Sequence, residues 1–306
     1  MLDFVTVGHI TLDYIKGGPR KRTRWVPGGP AVHTSLTVSS LGARAYILSK
    51  VGTDFGTHRR KWLRQMGVRT RFLMVRSTPT TRFEIKYWKQ RRSLRLVSKC
   101  GSISQSDLPE GLRIRSLHIG PVIGEVPEMV AKSLASRSAV TSLDPQGYLR
   151  RVGRDGRVLG RSWLHRTLLR KVDVLRGSSD ELRMMVGGMS SRNALRKLKR
   201  LGPSVCILTR SGHGSDLLCD EGLFQIPAFK PERIVDPTGA GDSFSGAFLK
   251  EYSASKEPIW SACVGTAAAS IKVETSGPCF IRDRSRLIER ANKILSGVRT
   301  LEWRIQ

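Results

Sequence analysis

The stretch Asp236-Pro237-Thr238-Gly239-Ala240-Gly241-Asp242 runs without a break into Ser243-Phe244-Ser245-Gly246-Ala247-Phe248. Two glycines around an alanine leave so little side-chain bulk that an anion can approach the backbone. Glycine also tolerates the φ/ψ values that a tight anion-wrapping turn needs. A helical pattern starts at once: Phe244, Phe248 and Tyr252 recur at a spacing that puts them on one buried stripe. The glycines therefore stand at a helix N-terminus, where unbonded amides and the positive end of the helix dipole gather. Asp242 stands there too, and two readings are open for it. One is a helix cap. The other is a base that takes a proton from a hydroxyl while the turn holds developing negative charge.

Composition narrows the class. A chain of 306 residues is long enough for one large α/β domain, and 39% hydrophobic with 25% charged residues is ordinary for a globular protein. No run of about eighteen apolar residues appears, so no transmembrane helix is expected. Met1-Leu2-Asp3-Phe4 enters a strand-like segment directly, without a basic region and apolar signal core, so the expected location is cytoplasmic. The five cysteines are scattered, form no C-x-x-C pair and do not cluster with the six histidines. That argues against a zinc site or a disulfide framework and for reduced, packing cysteines. Lys and Arg number 53 against 25 Asp and Glu, a formal charge of +28. Such a field attracts polyanions. The basic residues are dispersed over 16–24, 59–71, 150–161 and 192–200, with no arginine-glycine repeat or basic tail. A basic solvated surface is expected, with nucleic acid bound only non-specifically.

The rest of the chain alternates strands and helices. Residues 4–8 read as a strand that breaks at Gly8, with Asp13 just beyond, where ligands gather in open α/β sheets. Pro27-Gly28-Gly29-Pro30 opens a helical pattern over 31–41, closed by Gly42. A strand over 45–51 and a helix to Gly67 follow. Next come strands at 72–75, 82–89 and 94–98 without helices between them. Phe83, Ile85 and Tyr87 alternate there with Arg82, Glu84, Lys86 and Trp88, the pattern of a half-buried sheet. From Leu117 the alternation resumes. Strands are expected at 117–121, 140–143, 172–176 and 204–209, a hairpin at 217–226, and helices at 127–137, 258–273 and 283–298. Asp144 to Arg150 follows one strand and Ser178-Ser179-Asp180-Glu181 another, the latter readable as a plain capped helix start.

The run from Asp236 to Phe244 resembles the C-terminal signature of the ribokinase-like (PfkB) carbohydrate kinase family, and no Walker G-x-x-x-x-G-K-[ST] string occurs. The resemblance implies a ribokinase-like three-layer α/β/α sandwich, a single domain over 1–306 with a small β-sheet lid from strands near 14–26 and 72–99. It implies ATP- and Mg²⁺-dependent phosphorylation of an alcohol group on a sugar, polyol or nucleoside. Asp242 then matches the catalytic base, and Gly239, Ala240 and Gly241 form the anion hole with it. On the acceptor side the matching positions are Asp13, Gly28, Gly29, His33, Asp144, Gln146 and Arg150. On the nucleotide side they are Ser178, Thr209, Gly212, Gly214, Gly239, Gly241 and Ala268. Glu181 matches the metal-associated glutamate, with Ser178 where the family's N-x-x-E motif has asparagine. Many sugar kinases have asparagine at the positions of Pro30 and His33, so the chain departs from a ribose or fructose pattern. Gly28-Gly29-Pro30 and Asp144-Pro145-Gln146-Gly147 look closer to the archaeal group related to myo-inositol kinases. This ranks myo-inositol first and a nucleoside second. The resemblance is compatible with a monomer or a lid-mediated homodimer. From a different class, a kinase-fold RNA-binding or scaffold protein without activity is suggested by the charge and opposed by the intact Asp242 motif.

Overall fold

The structure is a computed structural model and describes residues 1–16, 25–88 and 91–301. Its largest sheet begins with parallel strands in the spatial order Arg69–Arg76, Ala45–Gly52, Leu2–Val7, Ile114–Ile119, Ser138–Leu143, Val174–Ser178 and Val205–Thr209. The antiparallel strands Ser215–Cys219, Gly222–Ile226 and Arg299–Leu301 complete it. Neighbouring strand residues supply opposite faces. Val5 and Leu175 pack with Val130, Leu134 and Leu195 of the helices on one side. Phe4 and Val174 pack with Phe244, Ala267 and Leu287 of the helices on the other. Strands buried on both faces read as continuous apolar runs, which is why Val205-Cys206-Ile207-Leu208 looks strand-like without alternation.

The helix Ala240–Ser255 shows how the opening motif becomes structure. Phe244, Phe248 and Tyr252 are buried and stacked in a column, with centroids 6.0 and 5.5 Å apart. Truncating such an aromatic to alanine costs about 3–5 kcal/mol. The helix ends at Lys256, in the left-handed conformation, and Pro258 opens Pro258–Val273, which packs back against it. Proline at a first helical position gives up an amide that has no intrahelical partner anyway.

A second sheet has the order Val26–Gly28, Thr11–Lys16, Thr81–Trp88 and Arg91–Ser98. Part of the segment expected near 14–26 falls outside the described residues. The expected strand at 72–75 belongs elsewhere: Arg69–Arg76 pairs in parallel with Ala45–Gly52 at the edge of the large sheet. The helix Gly56–Gln65 between them makes a β-α-β crossover, which links parallel strands of one sheet. The apolar run Phe72-Leu73-Met74-Val75 reads as a strand in either sheet, so the pattern alone did not identify the partner. The apolar face of the small sheet carries Ile15, Phe83, Ile85, Leu94 and Leu96, packed with Val122 and Ile123 from beyond Ile114–Ile119. Leu2–Val7 is flanked by later strands on both sides, so the chain winds outward from it in two directions. Open α/β sheets hold their ligands at such a reversal, beyond the strand C-termini.

Candidate active site

The motif turn is fixed from below by the end of Pro258–Val273. The amides of Val235 and Asp236 both donate to the Val273 carbonyl, at 2.7 and 3.1 Å. One Asp236 carboxylate oxygen accepts from the Thr238 amide and the other from the Gly277 amide, each at 3.0 Å. The wholly buried Lys272 donates from Nζ to the Asp236 carbonyl at 2.9 Å and to the Thr275 carbonyl at 3.4 Å. Burial alone would push the Asp236 carboxyl up. The Lys272 charge and the two amides outweigh it and hold the group below its ordinary value.

Gly239, at φ +83°, precedes the helix, and a side chain there would strike the imidazole of His33. Only glycine meets both conditions without strain. Asp242 sits inside the first turn as the third helical residue; the cap position belongs to Gly239, which has no side chain to cap with. Thr34 donates from its hydroxyl to the Asp242 carbonyl at 3.1 Å, tying the helix start to Pro30–Ser40.

A cleft of about 320 Å³ lies over this turn, between the C-terminal ends of the parallel strands and the small sheet. Gly239, Gly241, Asp242, Asp13, Gly29, His33, Asp144, Gln146, Arg150, Ser178 and Glu181 all line it. Gly28 stands just behind, where a side chain would collide with the Asp13 carboxylate. Asp144 is buried, accepts from the Ser245 hydroxyl at 3.0 Å and pairs with Arg176. Arg150 donates to the Gln146 side-chain oxygen and the Val122 carbonyl, each at 3.0 Å. Phe83, Ile85, Leu94 and Val122 give the cleft one apolar wall opposite these polar groups.

Ser178 and Glu181 form a reciprocal capping box on Ser179–Met185. Glu181 accepts the Ser178 amide at 2.8 Å, and the Ser178 hydroxyl accepts the Glu181 amide at 3.3 Å. The plain capping reading of this stretch therefore holds, and both residues also face the cleft. Among the described residues no cluster of three or more potential metal-binding side chains occurs. The Glu181 carboxylate on the wall suits a magnesium ion that keeps most of its waters and leans on phosphate oxygens.

Other expected positions lie off the cleft. Thr209 pairs with Ser178 in the sheet and donates to the Gly177 carbonyl at 3.3 Å; Gly212 and Gly214 belong to the turn that follows. Ala240 begins the helix but does not line the cleft. Ala268 is 0% exposed, belongs to the same core cluster as Ala247 and Phe244, and does not line the cleft.

Sequence reasoning missed Arg176. It lies within Val174–Ser178, lines the cleft and donates to Asp144 at 2.8 Å. Burial opposes its charge; the carboxylates of Asp144, Glu181 and Asp242 more than offset this and raise its proton affinity. A signal was present, because an arginine in an otherwise apolar strand is tolerated only with partners.

The chain has a ribokinase-like α/β fold in which the glycine turn faces a carboxylate-lined cleft. A profile of the pfkB family carbohydrate kinases matches residues 130–284, just over half of the chain. The chain belongs to this family and is a kinase. A cytidine kinase from Thermococcus kodakarensis is 28% identical over 265 residues, covering 83% of this chain and 89% of that protein. An inositol 3-kinase from Oryza sativa subsp. japonica is 29% identical over 292 residues, covering 87% and 68%. A solved pyrophosphate-dependent kinase of the ribokinase family, complexed with a pyrophosphate analogue and myo-inositol, superimposes with a TM-score of 0.79. It is 22% identical, with 94% of this chain and 99% of that chain covered. Among the described residues no helix is long and apolar enough to cross a membrane.

Proposed function

We propose that the chain transfers the terminal phosphoryl group of ATP to a hydroxyl of a nucleoside, with Asp242 as the base. The observation that carries this reading is the convergence of Asp242, the Gly239–Gly241 turn, Asp13 and Asp144 on one cleft. The acceptor hydroxyl gives its proton to the Asp242 carboxylate, and the oxygen forms a bond to the terminal phosphorus. The bond from that phosphorus to the leaving diphosphate breaks, giving ADP. Amides at the start of Ala240–Ser255 hold the charge on the transferred group, as helix N-termini hold phosphates. Glu181 fits a hydrated Mg²⁺ ion, which when bound neutralises donor phosphate charge. Positioning and electrostatics supply most of the acceleration in such transfers.

The apolar wall of Phe83, Ile85, Leu94 and Val122 favours a nucleoside. It suits the flat face of a base, while Asp13 and Asp144 suit ribosyl hydroxyls. The T. kodakarensis cytidine kinase points the same way. The second reading is myo-inositol, supported by Gly28-Gly29-Pro30, the Gln146–Arg150 pair and the rice inositol 3-kinase. A product-release assay over nucleosides, myo-inositol and hexoses, with ATP or pyrophosphate as donor, separates them. A nucleoside is expected to lead in kcat/KM by at least about tenfold, the scale on which a site tells acceptors apart. Leadership by myo-inositol overturns the acceptor assignment. Silence across the panel with tight, salt-sensitive RNA binding overturns the enzymatic reading in favour of a binding protein.

A further inference from the structure

We propose that Arg176 is a catalytic residue that meets the transferred phosphoryl group from beneath the Gly239–Asp242 turn, an assignment that rests on the kinase reading above. Val174, Leu175 and Gly177 around it are buried, and the arginine side chain keeps only 14% exposure, where it lines the cleft. An arginine in such a strand is retained where its charge meets partners. Its Nη1 edge is committed to Asp144 at 2.8 Å. The other edge lies against the glycine turn: a side chain on Gly241 would collide with Nη2 and the central carbon of the guanidinium. The ring of Phe244, 5.9 Å from that carbon, backs the group. Nε is buried without a hydrogen-bond partner.

Charge supports a role beyond bracing Asp144. That carboxylate already accepts from the Ser245 hydroxyl. The Asp242 and Glu181 carboxylates also act on Arg176 through their charge, so three acidic groups surround this guanidinium where an anionic donor must enter. Without the guanidinium, these carboxylates repel a phosphate. With it, a planar donor fork stands beside the turn, the geometry that suits phosphate oxygens.

The test uses the full chain and the Arg176→Met and Arg176→Lys variants, read by steady-state kinetics and by calorimetric titration with pyrophosphate. Arg176→Met is expected to lower kcat about 10²- to 10³-fold, the scale for losing one preorganised donor to a developing oxyanion. Its affinity for pyrophosphate is expected to fall by at least about tenfold, the scale of one charge-assisted hydrogen bond. Arg176→Lys keeps a cation for Asp144 and hence the fold, but loses the fork; it should melt near the wild type and recover only part of kcat. Folded variants with wild-type kcat and wild-type pyrophosphate affinity reduce Arg176 to a strut for Asp144. Should Arg176→Met not fold, the same two results in Arg176→Lys decide alone. A wild type that transfers no phosphoryl group to any acceptor defeats the kinase reading. The pyrophosphate titration still judges Arg176 in that case, because equal binding by wild type and variant overturns its assignment.

Discussion

Replacing Lys272 by methionine keeps most of the side chain's length and removes its charge from the junction beneath the motif turn. In the native protein the ammonium is 0% exposed and donates to the Asp236 and Thr275 carbonyls, beside the Asp236 carboxylate whose proton affinity it lowers. Removing one partner of a buried pair costs about 3–5 kcal/mol, because the other charge is left uncompensated. Asp236 keeps the Thr238 and Gly277 amides, so the lower end, about 3 kcal/mol, is expected. A chain of 306 residues has an unfolding entropy of roughly 0.6 kcal/mol/K, from about 2.1 cal/mol/K per residue, which translates that loss into about 5 °C in Tm.

The pH dependence follows from the sign of the Asp236 shift. Its folded pKa is depressed from 3.8, so its contribution is present above that value and is lost as the pH falls through the folded pKa. Without Lys272, burial acts on the carboxyl with less opposition and its folded pKa rises. The gap in Tm between wild type and Lys272→Met should therefore narrow as the pH is lowered from 7 to below 3.8, where the wild-type carboxylate also takes up its proton. Asp236→Asn combined with Lys272→Met should destabilise by less than the sum of the single changes, since the two groups share one network. Calorimetry across that pH range, on all three variants, is the assay. A Tm loss that stays the same at every pH, with additive double-mutant effects, refutes the assigned pairing.

Leu94→Ala should raise the KM for a nucleoside acceptor about tenfold, by removing apolar contact worth 1–3 kcal/mol, and leave the KM for the donor unchanged in initial-rate measurements. An equal effect on both substrates would place the acceptor elsewhere. The five cysteines are buried and unpaired, and burial pushes the thiols of Cys206, Cys219 and Cys263 up to about 12. A disulfide-exchange reagent at pH 8 should therefore leave the folded protein unlabelled and titrate five thiols once denaturant is added. Rapid labelling of the folded protein contradicts that burial.

Much of the fold was legible because local signals and tertiary packing agree. Pro258 and Val273 bound the helix expected over 258–273, and the Phe244, Phe248, Tyr252 stripe became a stacked column. The hairpin expected at Asp220-Glu221-Gly222 forms between Ser215–Cys219 and Gly222–Ile226. What local pattern cannot carry is the identity of a partner. The apolar run over residues 72–75 fits either sheet equally well and was assigned to the wrong one. Ala268 has the small side chain that suits a ligand wall, but the same smallness serves close helix packing. Arg176 escaped notice because its meaning comes from Asp144, Asp242 and Gly241, all distant in sequence and adjacent only after folding. Asp13, Asp144 and Asp242 were legible as a set through the family signature, while the apolar wall that ranks the acceptors emerged only from the folded sheet.

The most direct measurement is phosphoryl transfer by Asp242→Asn, which is nearly isosteric and leaves the Thr34 bond to the main chain intact. With the best acceptor of the panel, its kcat should fall at least about 10²-fold, the lower bound for losing a general base, while its melting temperature and its affinity for the donor stay close to those of the wild type. Turnover at the wild-type rate in that folded variant would contradict Asp242 as the base and, with it, the account of how this cleft works.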